Sequence, residues 1–371
     1  MAPELALEAL DRIRPKSTVL DPMCGSGTVL AHASASGHSA FGFDLDPLAV
    51  LISSVACRPI RAETVSKSAE RLLDEVDSLK RVSLPWIDRD RETLDFTRYW
   101  FATKQRVVLR KLALALQPMR GPSADVLRVA LSRTIVTKDR GASLARDVSH
   151  SRPHRVRDTN DYDVVAGFMR AVEAITAIID TPRNGKVTIA TRDARHLPRS
   201  LDGAVDLVVT SPPYLNAIDY MRGHRMSLVW LGFQLSELRE IRATTVGAER
   251  RAERDGRREL ITGYRTLTSR QRGMLERYAR DADSLCAGLA RVLKVEGEAV
   301  LVVGDCNVGG TFVRNSSIVR RAGERRGLEV IDRRSRELPS DSRYLPPPTA
   351  GDSALANRLR QEVVLRFRRT T

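Results

Sequence analysis

A doubly wound α/β fold carrying a helical insertion is the class this sequence predicts, and three observations lead to it. Residues 17–35 read as a strand, a glycine-containing turn and a helix, the opening unit of a nucleotide-binding sheet. Apolar, β-prone runs of strand length recur at 40–44, 186–191, 204–209 and 297–305. From about Ala62 to Asp180 the apolar residues instead recur at three-and-four spacing, which is the period of helices.

The first unit begins with Ser17-Thr18-Val19-Leu20 as a strand and continues through Asp21-Pro22-Met23-Cys24-Gly25-Ser26-Gly27-Thr28 into a helix at Thr28–Ala35. Gly25 and Gly27 let the backbone turn tightly and approach a ligand with no Cβ in the way, and the helix behind them offers free N–H groups. The second strand, Ala40–Asp44, ends in a carboxylate about twenty residues on, where a ribose diol is usually gripped. Asp46-Pro47 starts the next helix, with Asp46 the better N-cap and Asp44 the better ribose ligand. A carboxylate at Asp21 would repel a pyrophosphate and suits a cationic ligand. An ordinary βα turn with a capping Asp is the plain alternative.

Downstream, Val65–Lys80, Thr103–Gln117, Asp125–Val136 and Val164–Ile179 are expected helices of an insertion, followed by a strand at Lys186–Thr191 and an acidic turn at Asp193. Ala204–Val209 is an expected buried strand, stopped and stiffened by Pro212 and Pro213 within Thr210-Ser211-Pro212-Pro213-Tyr214. A helix at Ala279–Leu293, a strand at Gly297–Asp305 and strands at Glu329–Asp332 and Glu362–Phe367 complete a seven-stranded set. The predicted division is 1–60 for the first part of the sheet domain, 61–183 for the insertion and 184–371 for the second part.

Asp-Pro-x-x-Gly-Ser-Gly-Thr, then Gly-x-Asp-x-Asp-Pro, then Thr-Ser-Pro-Pro-Tyr resemble the motifs of the amino-methyltransferases that modify cytosine N4 or adenine N6 in DNA. The resemblance implies a Rossmann-like, seven-stranded methyltransferase sheet whose last two strands form an antiparallel hairpin. It implies S-adenosylmethionine as cofactor, held by Asp21, Met23, Gly25, Ser26, Gly27, Thr28 and Asp44, with Asp193 on the adenine amine. Met23 departs from the aromatic residue usual there, and Met fills the space with less rigidity. For Asp193 a capping role stands level with the ligand role.

Ser211, Pro212, Pro213 and Tyr214 would receive a base rotated out of its helix. An exocyclic amine shares its lone pair with the ring, so acceptors on its N–H groups are needed to localise that pair. Ser211 Oγ and the Pro212 carbonyl are the nominated acceptors, and Tyr214 would stack on the base. Ser at the first motif position is commoner among cytosine-N4 enzymes, Asp or Asn among adenine-N6 enzymes. Adenine N6 is the runner-up, an RNA base the third reading, and an inactive nucleic-acid-binding module the reading from another class.

Composition fits a nucleic-acid partner. The chain has 371 residues, 42% hydrophobic content and a formal net charge of +15, enough for a full core and suggestive of a polyanion. An arginine-rich proteome gives the same signal. DNA is the expected partner, RNA the alternative, with a restriction-modification or defence partner left open and no membrane partner expected. Cysteines 24, 57, 286 and 306 form no C-x-x-C pair, so no metal site and a reduced, cytoplasmic setting are expected. The N-terminus lacks a signal-peptide layout. It leaves room for one helix, Pro3–Ile13, expected over the methionine end of the donor; either that suffices or an N-terminal part is missing.

Of two basic stretches, Thr137–Gly141 through Ser149–Arg157 is read either as a loop that holds phosphates or reads a base edge or as a solvated loop, and Glu237–Arg280 either as a solvated helix with internal ion pairs or as a segment that closes over the substrate strand. His224, after the acceptor motif, reads as a helix-face residue rather than a base.

Overall fold

Seven strands of the computed structural model form one sheet: β1 (Thr18–Asp21), β2 (Ser39–Asp44), β3 (Val187–Thr191), β4 (Val205–Thr210), β5 (Leu293–Gly304), β6 (Leu328–Glu337) and β7 (Gln361–Arg369). Their order is β6-β7-β5-β4-β1-β2-β3. The structure describes residues 3–135, 140–146, 154–179, 184–215, 220–246, 258–261, 263–264, 266–308, 310–337 and 361–370. The fold is the Rossmann-like, doubly wound α/β sheet that the sequence predicts.

β1 pairs in parallel with β2 (Leu20 beside Phe41) and with β4 (Val19 beside Leu207). β4 continues in parallel to β5, and β2 to β3. β7 alone runs against the others, antiparallel to both β5 and β6. The central strands are largely apolar because helices cover both faces: Val19, Leu20, Val205, Leu207, Val208 and Val209 are each at most 1% exposed. Burying each such side chain contributes about 1.5–3 kcal/mol.

Residues 1–45, 184–217 and 243–371 make one compact unit around this sheet. Its helices are Pro3–Leu10, Thr28–Ala35, Ser269–Val292 and Asn315–Arg325. Ser269–Val292 is opened by a capping box, Thr268 with Gln271, and ends before Leu293, where β5 begins earlier than its apolar run suggests. Gly42 in β2 sits where a Cβ would come within 2.2 Å of Leu30 Cδ1, so glycine lets the helix after the first loop lie close on the sheet.

Residues 46–183 and 218–242 form a second, helical unit. Helices Pro47–Cys57, Ala62–Ser78, Arg91–Trp100, Thr103–Leu116, Pro122–Ile135, Val164–Ile179, Tyr220–Leu228 and Leu235–Thr244 build it. Its core includes Leu72, Leu109, Leu127, Phe168 and Trp230, with Phe101 edge-on to Trp230 at 5.1 Å between ring centres. The division thus falls at Asp46 and not at residue 60, and residues 218–242 belong with the insertion. The reason is packing: Leu48, Val55, Met226 and Leu228 are buried in that helical core.

Asp46 caps its helix, accepting from the Leu48 N–H at 2.9 Å. His224 lies on helix Tyr220–Leu228 with Nδ1 2.5 Å from Asp46 Oδ2, an ion pair or short hydrogen bond inside the helical unit. Residues 137–139 and 147–153 of the first basic stretch, and Arg250, Arg251, Arg254, Arg257 and Arg265 of the second, lie outside the described residues, as does Asp219.

Candidate functional site

Four parallel strands end at one edge of the sheet, and the residues singled out in the sequence follow them. β1 ends in Asp21, β2 in Asp44, β3 two residues before Asp193, and β4 in Thr210, directly before Ser211. In open α/β sheets this carboxyl edge is where ligands bind.

The loop after β1 turns on two left-handed glycines, Gly25 at φ +50° and Gly27 at φ +80°. The Cys24 N–H donates to the Phe43 carbonyl at 2.8 Å, and the Gly27 N–H to the Cys24 carbonyl at 2.8 Å, fixing the loop on β2. The Gly25 N–H donates to Asp44 Oδ2 at 3.0 Å, so the acid at the tip of β2 braces the turn. Nothing lies within 4 Å of where a Gly25 Cβ would stand, so the loop presents open backbone there. Ser26 Oγ and Thr28 Oγ1 lie 3.1 Å apart where the helix begins, and Met23 is half-buried against the sheet's core.

Asp21 is buried. Its Oδ1 accepts from Thr210 Oγ1 at 2.7 Å and from the Met23 N–H at 3.2 Å. Burial pushes its carboxyl up to about 7, against the pull of those two hydrogen bonds. The first loop and the Ser-Pro-Pro-Tyr motif are therefore joined by one side-chain contact between neighbouring strands.

Past Thr210, Pro212 is buried and Pro213 exposed, with Ser211 and Tyr214 half-buried between. Ser211 Oγ donates to the Val302 carbonyl at 3.2 Å and lies 3.4 Å from Tyr214 Oη. Tyr214 Oη donates to Glu362 Oε1 at 2.9 Å. Glu362 is held on its other oxygen by Arg336 Nε at 3.0 Å.

Asp193 is engaged by its own loop. Its Oδ1 accepts from the Arg195 N–H at 2.9 Å, and both oxygens take the Arg195 guanidinium, the shortest contact being 2.6 Å. Arg195 also reaches Asp281 at 2.7 Å. Burial works to raise the Asp193 carboxyl, and the Arg195 hydrogen bonds outweigh it, leaving it below the ordinary carboxylate value. Asp193 thus closes its own turn, and no helix begins there for it to cap. A ligand amine at Asp193 would share the carboxylate with Arg195.

Thr210 was read only as part of the acceptor motif, and Glu362 and Arg195 were given no role from the sequence. Thr210 had a local signal, a hydroxyl at the end of the apolar run Leu207–Val209. Glu362 opens a buried strand facing Arg336 across the sheet, a pairing with no local signature. No cluster of His, Cys, Asp and Glu suited to a metal occurs among the described residues. None of the described helices is long and apolar enough to cross a membrane.

No protein-family model matches the chain. It is 25% identical to the Type II methyltransferase M.MvaI of Kocuria varians, an alignment covering 64% of this chain and 56% of that protein. A shorter stretch, 12% of this chain and 9% of the relative, is 44% identical to the Type II methyltransferase M.BsoBI of Geobacillus stearothermophilus. The chain thus matches little more than half the length of the first of these curated relatives and under a tenth of the second. Among solved structures, a TehB-like SAM-dependent methyltransferase from Corynebacterium glutamicum is 12% identical with a TM-score of 0.32, over 98% of this chain and 85% of that one.

Proposed function

We propose that this protein is an S-adenosylmethionine-dependent methyltransferase acting on an exocyclic amine of a nucleic-acid base, with cytosine N4 in DNA as its first target. The observation that carries this reading is the Asp21–Thr210 hydrogen bond, which ties the first loop to the Ser-Pro-Pro-Tyr motif at one sheet edge. Similarity to two Type II methyltransferases supports DNA as the substrate, and the net charge of +15 agrees with a polyanionic partner.

The residues present fit the cofactor. Open backbone at Gly25 and the acid of Asp44 at the tip of β2 suit an adenosyl group, and Asp21 suits the cationic end. Met23, Ser26, Gly27 and Thr28 would complete its contacts, with Asp193 toward the adenine. When bound, the cofactor supplies a methyl group on a sulfonium.

Ser211 Oγ and the Pro212 carbonyl would accept the two amine N–H bonds, localising the nitrogen lone pair, while Tyr214 stacks on the base. Pro212 and Pro213 hold this acceptor turn in one geometry, so positioning supplies much of the acceleration. The amine's proton leaves to water after transfer, and no base is required.

Mass spectrometry of nucleosides from unmethylated DNA and from bulk RNA, each incubated with the protein and S-adenosylmethionine, tests the reading. N4-methylcytosine in DNA is the expected product. N6-methyladenine would keep the mechanism and change the base, a mark only in RNA would change the substrate class, and no mark in either would overturn the proposal.

A further inference from the structure

The reversed direction of β7 has a chemical result at the site. Strands β1 to β5 bring their last residues to the functional edge; β7 runs the other way and brings its beginning. Glu362 consequently pairs with Gly304 at the end of β5 on one side and with Arg336 of β6 on the other, and its carboxylate reaches Tyr214.

A hydroxyl carries one proton and two acceptor lone pairs. The Tyr214 proton is directed to Glu362 Oε1 at 2.9 Å, and the Ser211 proton to the Val302 carbonyl at 3.2 Å. The two hydroxyl oxygens lie 3.4 Å apart with both protons already committed elsewhere. Glu362 cannot turn away from this task easily, because Arg336 holds its second oxygen and its side chain is only 14% exposed.

We infer that Glu362 is a positioning and specificity-determining residue which, by taking the Tyr214 proton, keeps that proton off Ser211 Oγ, leaves the Ser211 oxygen an acceptor only, and so selects a base that presents N–H donors over one that presents a carbonyl. This rests on the proposed amine methylation and adds to it a reason for the choice of group. An exocyclic carbonyl oxygen such as O4 of thymine or O6 of guanine would meet lone pairs only, whereas the amine of cytosine or adenine finds partners. A polar contact left unpaired at a desolvated site is unfavourable, because the group has given up its water and gained no partner.

Glu362→Gln is the probing substitution, since it keeps shape while reversing polarity. Arg336 still requires an oxygen, so the new amide turns its NH2 toward Tyr214 Oη, and the tyrosine proton swings toward Ser211 and the substrate. The experiment compares wild type, E362Q, Y214F and the double variant, using transfer of a labelled methyl group to unmethylated genomic DNA. S-adenosylhomocysteine affinity is measured in parallel, together with the 13Cζ resonance of Tyr214, assigned by its loss in Y214F.

E362Q is expected to lower kcat by about tenfold or more while leaving S-adenosylhomocysteine affinity within twofold. It should cost little further in the Y214F background, where no proton remains to be misdirected. The Tyr214 resonance should move in E362Q. Wild-type kcat in E362Q, an equal cost in both backgrounds, or an unmoved resonance would overturn the inference. A wild type that methylates neither DNA nor RNA would sink the amine reading on its own, and the NMR shift would still decide whether Glu362 sets the hydroxyl's direction.

Discussion

Asp21 and Thr210, 189 positions apart in the chain, share a 2.7 Å hydrogen bond inside the sheet. Their strands are neighbours, so the contact ties the two loops together through strand ends that cannot slide. Because Asp21 is buried, the bond also fixes an acid whose charge depends on pH near neutrality.

That dependence has a sign. Below about pH 4 Asp21 is protonated in folded and unfolded chains alike. As pH rises toward 7 the unfolded chain releases its proton while the folded chain keeps it, because burial has pushed the folded carboxyl up to about 7. The stability gained from the protonated form is therefore lost as pH rises through this window. Asp21→Asn removes the titration. Urea unfolding from pH 5 to 8 should show the variant gaining on wild type as pH rises, by on the order of a few kcal/mol; a constant difference would contradict this assignment.

Binding of a cationic cofactor favours ionised Asp21. Calorimetry of S-adenosylmethionine binding near pH 7, in buffers of different ionisation enthalpy, should report proton release in wild type. In the Asp21→Asn variant that release should vanish and affinity should fall.

Removing the hydroxyl partner isolates the bond itself. Thr210→Val keeps the side chain's shape but leaves the buried Asp21 with only the Met23 N–H of its two partners. Denaturant unfolding at pH 8 should show a loss of about 1–3 kcal/mol, with Thr210→Ser close to wild type. Equal stability of the Val variant would show that the contact contributes nothing net.

Tyr214→Ala probes the acceptor side. Loss of base stacking is worth about 1–3 kcal/mol, so turnover should drop by roughly tenfold to a hundredfold with cofactor affinity nearly unchanged. A fall in cofactor affinity alone would contradict the roles assigned to the two loops.

Gly42→Ala tests the packing beneath the first loop. Its Cβ would meet Leu30 Cδ1 at 2.2 Å and Cys24 Cβ at 3.4 Å. Since Leu30 is fully buried, overpacking should cost about 1–3 kcal/mol, read as a lowered melting temperature.

Much of this was legible in the sequence because its signals are local. Val205–Val209 announces a buried strand by composition, Asp46-Pro47 announces a capped helix, and the glycines at 25 and 27 announce a turn. The burial of Asp21, its bond to Thr210 and the reach of Glu362 to Tyr214 were not legible, since each depends on which strands become neighbours. Leu48 and Val55 belong to the helical core for the same reason: their periodicity shows that a face is buried but not against what. Asp193 fell between these cases, its turn being local and its grip by Arg195 tightened through Asp281, far along the chain.

The place of β7 also bears on the order in which the molecule can be assembled during synthesis. Residues 361–369 are the seventh strand in chain order yet lie between the fifth and sixth. Until the ribosome has released them, β5 keeps an open edge and β6 has no neighbour, so nascent chains carry the unpaired edge of the apolar β5 for longer than a sequentially paired sheet would. Slowing translation ahead of this segment should therefore raise misfolding more than an equal delay between β1 and β2.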